Sequence, residues 1–295
     1  MKEPIGILVM DKEADFTSFD VIGKLRGILH MRKIGHTGTL DPQATGVLPV
    51  CVGRATKVCS LLTDMDKTYE AELLLGKVTD TQDIWGDVLE EKAVSVTREE
   101  LMAVIDRHIG WQEQIPPMYS AKKIGGKKLY ELAREGREVE RKASRICIHS
   151  IELLSFEKDR ARLLVSCSKG TYIRTLLHDM GQELGCGGCM SYLRRTQVGP
   201  FTLEDAHTFS ELMEHQDPCE CLIPVAELFP EDAHFTVRES AMKQLLNGNI
   251  LGLGDGVFDP ALPEVGKQVL VYDASGEFKA IYERKPEHLK IKAMF

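Results

Sequence analysis

A stretch punctuated by glycine and proline, GHTGTLDPQATGVLPV at residues 35–50, constrains the fold of this chain most strongly. Its glycines allow positive φ and close approach to another molecule, and Pro42 fixes the backbone directly after Asp41. The other side chains are mostly small, and Asp41 is the one acid of the stretch. The sequence therefore predicts a loop that presents a single carboxylate, followed by a short strand in VLPVCVG.

Taken alone, this loop has several interpretations. It is not a phosphate-binding loop of the Walker type, because no GK[ST] follows the glycines. An aspartate in a turn is most often a cap or an Asx-turn residue that binds the local backbone. The motifs elsewhere in the sequence are therefore needed to assign Asp41 a structural or a chemical role.

The surrounding segments alternate between strand and helix patterns. Ser18 is placed to cap a first helix, and Thr97 with Glu100 forms the capping box of a helix over 97–108. Strand patterns cover residues 5–10, 67–76, 144–157 and 161–169, and another helix follows SKGTY. Because there is no regular βαβ rhythm, this order predicts an α+β fold with a mixed, largely antiparallel central sheet flanked by helices.

The chain is expected to divide near residue 235. Residues 200–235 are acidic, contain a short helix pattern and a PVAELFP connection, and form the boundary region. Beyond them, FTVRESAMKQLLNGN predicts a helix that ends near Gly248, and QVLVYDASGEFKAIYERK predicts a hairpin with its turn at SG. We expect one domain over 1–235 and a small β-rich domain over 236–295.

The net charge of −8 is unevenly distributed. From Thr196 to Val237 there are nine acids and no Lys or Arg, whereas residues 120–145 hold nine Lys or Arg against four Glu. Residues 21–40 are also basic and contain no acid. Local basic patches attract phosphate whatever the net charge, so these stretches are compatible with a nucleic-acid partner, although most charge runs are solvated faces.

Compartment and metal content follow from the apolar runs and the cysteines. No apolar run approaches the roughly 18 residues that span a bilayer, and the start lacks a long apolar signal segment, so we expect a cytoplasmic protein without membrane contact. Cys186 and Cys189 form a CxxC, and CEC at 219–221 offers two more thiols. The second pair is spaced too closely for a typical zinc site, so we expect no bound metal.

A series of motifs in one order supplies the missing context for Asp41. Six motifs follow one another between Asp11 and Arg195: DK at 11–12, the loop itself, KTYEAELLLGKVTDTQD, IPPMYSAKKIGGKKLYELAREG, SKGTYIRTL and YLRR. This series resembles the bacterial tRNA pseudouridine-55 synthases, which isomerise a uridine in the T-loop of tRNA. The resemblance implies the pseudouridine synthase fold, base flipping, cleavage of the glycosidic bond, rejoining of the base through C5, and no cofactor.

The resemblance also implies roles for individual residues. Asp41 matches the family's catalytic aspartate, as a nucleophile at C1′ or as a base at C2′, and the sequence leaves both routes open. Arg174 matches the arginine that pairs with this aspartate, and Tyr69 matches the tyrosine that stacks on the uracil. The remaining matches are His36 as an RNA contact, Tyr172 and Leu193 as pocket lining, and Lys12 and Asp83 as polar neighbours without a catalytic role.

The same resemblance assigns the basic stretch and the partners. Residues 115–145, here called the basic arm, correspond to an RNA-clasping insertion in which Lys122, Lys123, Lys127 and Lys128 would hold phosphates. The segment 236–295 lies where family members carry a PUA-like RNA-binding domain. The expected partner is tRNA through its T-stem-loop, and we expect a monomer without an obligatory protein partner.

Three other functions have to be weighed. An idle RNA-binding or RNA-folding module would use the same groove, but its expected signature, loss of Asp41, Tyr69 or Arg174, is absent from the sequence. A hydrolase of free nucleosides would have no use for a basic arm. An enzyme that depends on a guide RNA and protein partners is disfavoured by the intact basic arm.

Overall fold

The computed structural model describes residues 3–295, which form two large β-sheets, two short hairpins and seven α-helices. The strands in chain order are β1 (Gly6–Lys12), β2 (Ile34–His36), β3 (Thr45–Val52), β4 (Lys67–Leu75), β5 (Lys77–Thr79), β6 (Val88–Glu91), β7 (Gly110–Gln114), β8 (Lys123–Ile124), β9 (Lys127–Lys128), β10 (Ser144–Glu157), β11 (Arg160–Cys167), β12 (Gly188–Val198), β13 (Phe201–Thr202), β14 (Ala233–Val237), β15 (Leu251–Gly252), β16 (Gly256–Asp259), β17 (Gln268–Tyr272), β18 (Phe278–Arg284) and β19 (His288–Met294). The α-helices are α1 (Ser18–Ile28), α2 (Cys59–Thr63), α3 (Arg98–Arg107), α4 (Leu129–Arg134), α5 (Ile173–Glu183), α6 (Phe209–Glu214) and α7 (Met242–Leu246). Short 3-10 helices cover Gly53–Val58, Leu203–Asp205, Pro218–Cys221, Val225–Leu228 and Glu239–Ala241.

The first sheet has nine strands, and its main path follows the order β1-β3-β12-β4-β11-β10-β7. Strand β2 pairs with β3, and β13 pairs with β12. The β3–β12 pair is parallel, whereas the other pairs of this sheet are antiparallel. The predicted mixed, largely antiparallel sheet is therefore confirmed, and one cluster of buried side chains joins α3 and α5 to it.

Capping boxes begin helices α1 and α3, with one correction at α1. Thr97 caps α3 through the predicted capping box with Glu100. At α1 the cap is Thr17 rather than Ser18, because the Thr17 hydroxyl accepts the N–H of Asp20 and the Asp20 carboxylate accepts the N–H of Thr17. Ser18 is the first residue of the helix, which leaves its hydroxyl available for a contact outside α1.

The second sheet, here called the C-terminal sheet, has six strands in the order β15-β19-β18-β17-β14-β16. Its central hairpin β17–β18 turns through Asp273 and Gly276, as QVLVYDASGEFKAIYERK predicts. The helix predicted over 235–249 is shorter than expected. Residues up to Val237 form β14, whose alternation of buried and exposed positions suits a strand, and the α-helix covers only Met242–Leu246.

The two large sheets share a buried cluster. Ile7 of β1 and Val47 of β3 pack in the same apolar group as Leu270 of β17 and Ile281 of β18. Residues 225–228 of the connecting segment contribute to this group through Val225 and Leu228. No helix among residues 3–295 combines the length and apolar character needed to cross a membrane.

Candidate active site

Asp41 lies in the loop between β2 and β3, residues 37–44, which we call the Asp41 loop. Ser18 of α1 pins this loop, because its hydroxyl accepts the N–H of Leu40 at 2.9 Å and donates to the Leu40 carbonyl at 3.3 Å. Ser18 is buried, so water does not compete for either bond. Just beyond the loop, Gly46 has φ of 101°, and a Cβ there would lie 2.1 Å from the Arg195 carbonyl oxygen. The loop thus has fixed points on both sides of Asp41.

The carboxylate of Asp41 pairs with the guanidinium of Arg174 at two points. Nε of Arg174 lies 3.1 Å from Oδ2 of Asp41, and Nη2 lies 3.5 Å from Oδ1. The Arg174 side chain, in the first turn of α5, is 7% exposed, whereas the Asp41 side chain is 42% exposed. The pair therefore presents an accessible carboxylate supported by a buried cation.

The same guanidinium also binds two further segments. Nη1 of Arg174 donates to the Thr81 carbonyl at 3.1 Å and to the Asp83 carboxylate at 3.3 Å. Nη2 donates to the Tyr119 carbonyl at 2.8 Å, at the start of the basic arm. Because a guanidinium is a rigid planar fork, these bonds fix the Asp41 loop, residues 81–83 and the base of the arm relative to one another.

Opposing effects set the charge of Asp41. Burial raises the pKa of Asp41, and the guanidinium of Arg174 opposes that rise because it favours the charged carboxylate. The charge of Asp83 adds to the rise, and the charge of Lys12 opposes it. Lys12 is buried at the end of β1, and its Nζ donates to the Pro42 carbonyl at 3.0 Å. Burial lowers the pKa of Lys12 to about 8, so most of it remains charged at neutral pH.

Tyr69 of β4 lies in the apolar cluster that also contains Leu40 and Leu193. Burial raises the pKa of its hydroxyl, and both the charge of Arg195 and a hydrogen bond from that guanidinium oppose the rise. Arg195 is 1% exposed, and its guanidinium also donates to the carbonyls of Val47 at 2.7 Å and Gly38 at 3.2 Å. One buried arginine therefore joins the Tyr69 hydroxyl to the Asp41 loop and to β3.

The other predicted site residues occupy the surroundings of the loop and of α5. His36 is the last residue of β2, and its Nδ1 accepts the N–H of Gly38 at 3.3 Å. Burial lowers the pKa of His36, and the charge of Arg195 lowers it further, so the imidazole is neutral at neutral pH. Tyr172 precedes α5, and the Gln114 side chain binds both its N–H at 2.8 Å and its carbonyl at 3.0 Å.

The basic arm contains the hairpin β8–β9 and helix α4. Lys123 is exposed, and Nζ of Lys127 pairs with Glu135 of the same arm at 3.0 Å. Nζ of Lys128 donates to the Tyr130 hydroxyl at 3.1 Å, and Nζ of Lys122 donates to Ser144 at 2.8 Å. The arm thus carries cations on its surface and partly neutralises them with its own acids.

Sequence reasoning missed two residues that hold this site together. Ser18 was interpreted as a helix cap and instead binds Leu40, a contact across 22 positions of the chain for which no local pattern exists. Arg195 is the last residue of YLRR, and the resemblance assigns it no role. Its burial could have been found, because Leu193 was expected to face the pocket and Arg195 lies two positions farther along the same strand.

Comparison with known proteins identifies the family of this chain. Residues 26–173 match the model described as TruB family pseudouridylate synthase (N terminal domain), and residues 174–228 match the model described as tRNA pseudouridylate synthase B C-terminal domain. The chain is 48% identical over 290 residues to tRNA pseudouridine synthase B of Lachnoclostridium phytofermentans, with 94% of each protein covered. It is 45% identical over 267 residues to the protein of the same name from Alkaliphilus oremlandii, which covers 90% of this chain and 89% of the relative.

Solved structures share the fold. A chain in the crystal structure of a Cbf5-Nop10-Gar1 complex superposes with a TM-score of 0.75 at 25% identity, over 99% of this chain and 85% of that one. A chain in the structure of an H/ACA RNP bound to a substrate RNA containing 2'-deoxyuridine gives a TM-score of 0.72 at 24% identity, over 98% of this chain and 84% of that one. Asp41, Tyr69 and Arg174 all lie within residues 26–228, which the two family models match.

Proposed function

This chain belongs to the TruB family of pseudouridylate synthases, and we propose that it converts uridine to pseudouridine in the T-loop of tRNA, with Asp41 as the catalytic residue. The observation that carries the proposal is the accessible Asp41 carboxylate held at two points by the buried Arg174. The reaction is an isomerisation of the nucleotide. The bond from C1′ to N1 breaks, a bond from C1′ to C5 forms, C5 loses a proton and N1 gains one.

Asp41 would act on the ribose. A carboxylate is suited to attack C1′ as the base leaves, as in retaining glycosidases, and equally suited to remove the C2′ proton. Both routes need the ionised form, which Arg174 favours. Both also need access to the nucleotide, and the exposed fraction of the Asp41 side chain supports that access.

Tyr69, Leu193 and Tyr172 would hold the uracil after the nucleotide has left the stack of the RNA loop. Extruding a base costs a few kcal/mol, which stacking and contacts to its edge recover in the pocket. Tyr69 shares an apolar cluster with Leu193 and lies next to the buried Arg195, which supports a fixed ring orientation. The Tyr69 hydroxyl is also a candidate to receive the C5 proton.

Binding of the RNA would be divided between shape and charge. His36, at the entry to the Asp41 loop, would contact the T-loop. Because Nδ1 of its neutral imidazole accepts the Gly38 N–H, Nε2 carries the proton and can donate a hydrogen bond to the RNA. Phosphates would be contacted by four lysines of the arm, Lys122, Lys123, Lys127 and Lys128. Such contacts add affinity but do not distinguish one RNA sequence from another. Selectivity would then come from the shape of the T-loop and its extruded nucleotides.

We further propose that residues 1–235 carry the reaction and that 236–295 form a separate PUA-like RNA-binding domain. The apolar cluster of the C-terminal sheet, which includes Val269, Tyr282 and Leu289, supports such a unit, and β14 (Ala233–Val237) adds the residues just before the boundary to the same sheet. We also propose that the chain acts as a monomer without a protein partner or cofactor. Its basic arm supports this proposal, because the chain carries its own surface for holding tRNA.

The deciding experiment incubates the purified protein with an unmodified tRNA transcript and maps pseudouridine along the RNA. We expect pseudouridine at the T-loop uridine with the native chain and none with Asp41→Asn, while tRNA affinity changes by less than about twofold. Asp15→Asn is the matched control. Its exposed carboxylate accepts a hydrogen bond from Gln43 of the Asp41 loop at 2.9 Å, and the amide oxygen of an asparagine can accept the same bond, so turnover should persist.

Two outcomes would contradict the proposal. Turnover retained in Asp41→Asn would remove Asp41 as the catalytic residue. Tight tRNA binding by the native chain without any pseudouridine would favour an RNA-folding module or an enzyme that depends on partners.

A further inference from the structure

The acidic segment between the two sheets holds a group of side chains that the proposed reaction does not use. Within residues 3–295, the group of three or more His, Cys or carboxylate donors close enough to share a metal ion consists of His207, His215 and Cys221. Their donor atoms all lie within 4.8 Å of one another. We propose that these three side chains bind a Zn²⁺ ion, which ties together the loop that they span.

The donor set suits zinc. Two imidazole nitrogens and one thiolate are ligands that Zn²⁺ uses in tetrahedral sites, and three protein ligands leave the fourth position to water or to a nearby carboxylate. Donors in such a site lie ~3.5 Å apart, so binding requires a closing movement of ~1 Å. His215 is exposed and directly follows α6, so its side chain is free to make that movement.

The electrostatic environment also favours a cation. A cavity of about 480 Å³ lies against the two histidines, and its other charged lining residues are the acids Glu204, Glu211 and Glu214. The whole segment from Thr196 to Val237 contains no Lys or Arg. A divalent ion would therefore meet no competing side-chain cation from its own segment.

The backbone gives the site a structural purpose. His207 pairs with β1, where its N–H donates to the Val9 carbonyl and its carbonyl accepts the N–H of Asp11, both at 2.9 Å. Ile223, two residues after Cys221, pairs with Ile7 of the same strand through two bonds of 2.8 Å. The chain thus leaves β1 after His207 and returns to it after Cys221. A metal bound to both ends and to His215 would close this loop and restrict its unfolded conformations.

The proposed site is not the one that the CxxC of Cys186 and Cys189 would form with CEC at 219–221. It also departs from our expectation that the protein binds no metal. Cys189 is fully buried in β12 and Cys186 lies in the core beside α5, and neither belongs to the group. The two histidines, rather than a second cysteine pair, complete the donor set. Their spacing from Cys221 matches no common zinc motif, so only the fold brings them together.

The test titrates the metal-free full-length protein with Co²⁺, a spectroscopic substitute for Zn²⁺, and then displaces it with Zn²⁺. We expect one equivalent to produce a thiolate-to-cobalt charge-transfer band and ligand-field bands of tetrahedral intensity, and Zn²⁺ to abolish them. Cys221→Ser should lose the charge-transfer band. His207→Gln should weaken binding at least ~100-fold, because even loss of an outer partner costs 10–100-fold. Zn²⁺ should raise the melting temperature of the native chain but not that of Cys221→Ser or His207→Gln.

Matched variants separate this site from other thiols and imidazoles. Cys219 lies in the same 3-10 helix as Cys221, and His149 is an exposed histidine that pairs with Asp66. The variants Cys219→Ser and His149→Gln should therefore keep the cobalt spectrum. If Cys221→Ser fails to fold, alkylation of the native chain replaces it, since Zn²⁺ should protect Cys221 from iodoacetamide. A native chain without a charge-transfer band, or without protection of Cys221, would overturn the proposal.

Discussion

The surroundings of Arg174 and the basic arm both rely on positive charge, yet they use it in opposite ways. Arg174 is almost fully buried, and its three nitrogens bind the carboxylates of Asp41 and Asp83 and the carbonyls of Thr81 and Tyr119. Lys127 of the arm is exposed and pairs with Glu135, which directly follows α4. A buried cation with fixed partners sets geometry, whereas an exposed one adds affinity that salt weakens.

Substitutions around Arg174 should therefore change turnover and its pH dependence, whereas substitutions on the arm should change the affinity for tRNA. Around Arg174, loss of one side chain leaves buried partners without hydrogen bonds, which costs more than the lost bond itself. On the arm, water and salt ions can replace the contacts that each lysine makes. Turnover should therefore fall most for substitutions of Arg174 and least for substitutions on the arm.

Arg174→Ala should reduce turnover at least ~100-fold, a loss typical of removing a group that fixes charge at an active site. It should also change the pH dependence. Since Arg174 favours the ionised carboxylate, its removal raises the pKa of Asp41 further, and the acidic limb of kcat/KM should move to higher pH. Rates measured across the acidic range would show this shift, and a limb that moved to lower pH would contradict the ion pair's assigned effect.

Arg174→Lys separates charge from geometry. A lysine keeps the positive charge beside Asp41 but cannot also reach the Thr81 and Tyr119 carbonyls with a rigid fork. We expect turnover to fall while the acidic limb stays close to its native position. Arg107→Ala provides the control, because that arginine pairs with Glu183 in an exposed bridge on α3 and should change neither quantity.

The sequence predicts the chemical groups of the site better than the contacts that hold them. Asp41, Arg174 and Tyr69 follow from resemblance, and α3 and the β17–β18 hairpin follow from local patterns, because caps and turns depend on neighbouring residues. The bonds of Ser18 to Leu40 and of Arg174 to Tyr119 join positions far apart in the chain, so no periodicity records them. The helix expected over 235–249 is shorter for a related reason: its first residues form β14, which exists because β16 and β17 flank it.

Ser18→Ala tests the missed contact and should have an intermediate effect. It leaves the N–H and carbonyl of Leu40 buried without the Ser18 hydroxyl, which should cost ~1–3 kcal/mol of unfolding free energy. Because Leu40 precedes Asp41, turnover should also fall by about tenfold through misplacement of the carboxylate. Chemical denaturation and single-turnover rates measure the two effects.

Thr17→Ala is the matched control for that prediction. It removes the cap of the same helix and should cost ~1 kcal/mol of stability, but its hydroxyl contacts Asp20 and not the Asp41 loop. Stability should therefore fall in both variants and turnover only in Ser18→Ala. Equal turnover in the two variants would mean that the loop does not depend on its bond to α1.

Charge reversal on the arm should have the smallest effect on chemistry. In a Lys127→Glu, Lys128→Glu variant, loss of two phosphate contacts should lower the slope of log affinity against log salt by ~1.5, equally for different tRNAs. The turnover of bound tRNA should remain near native, because neither lysine contacts Asp41, Arg174 or Tyr69. Glu135→Gln provides the opposite control, since it frees Lys127 from its ion pair and should leave binding unchanged or tighter. A native salt slope in the reversed variant would mean that other surfaces hold the phosphates, and a loss of turnover at saturating tRNA would mean that the arm also sets the geometry of the site.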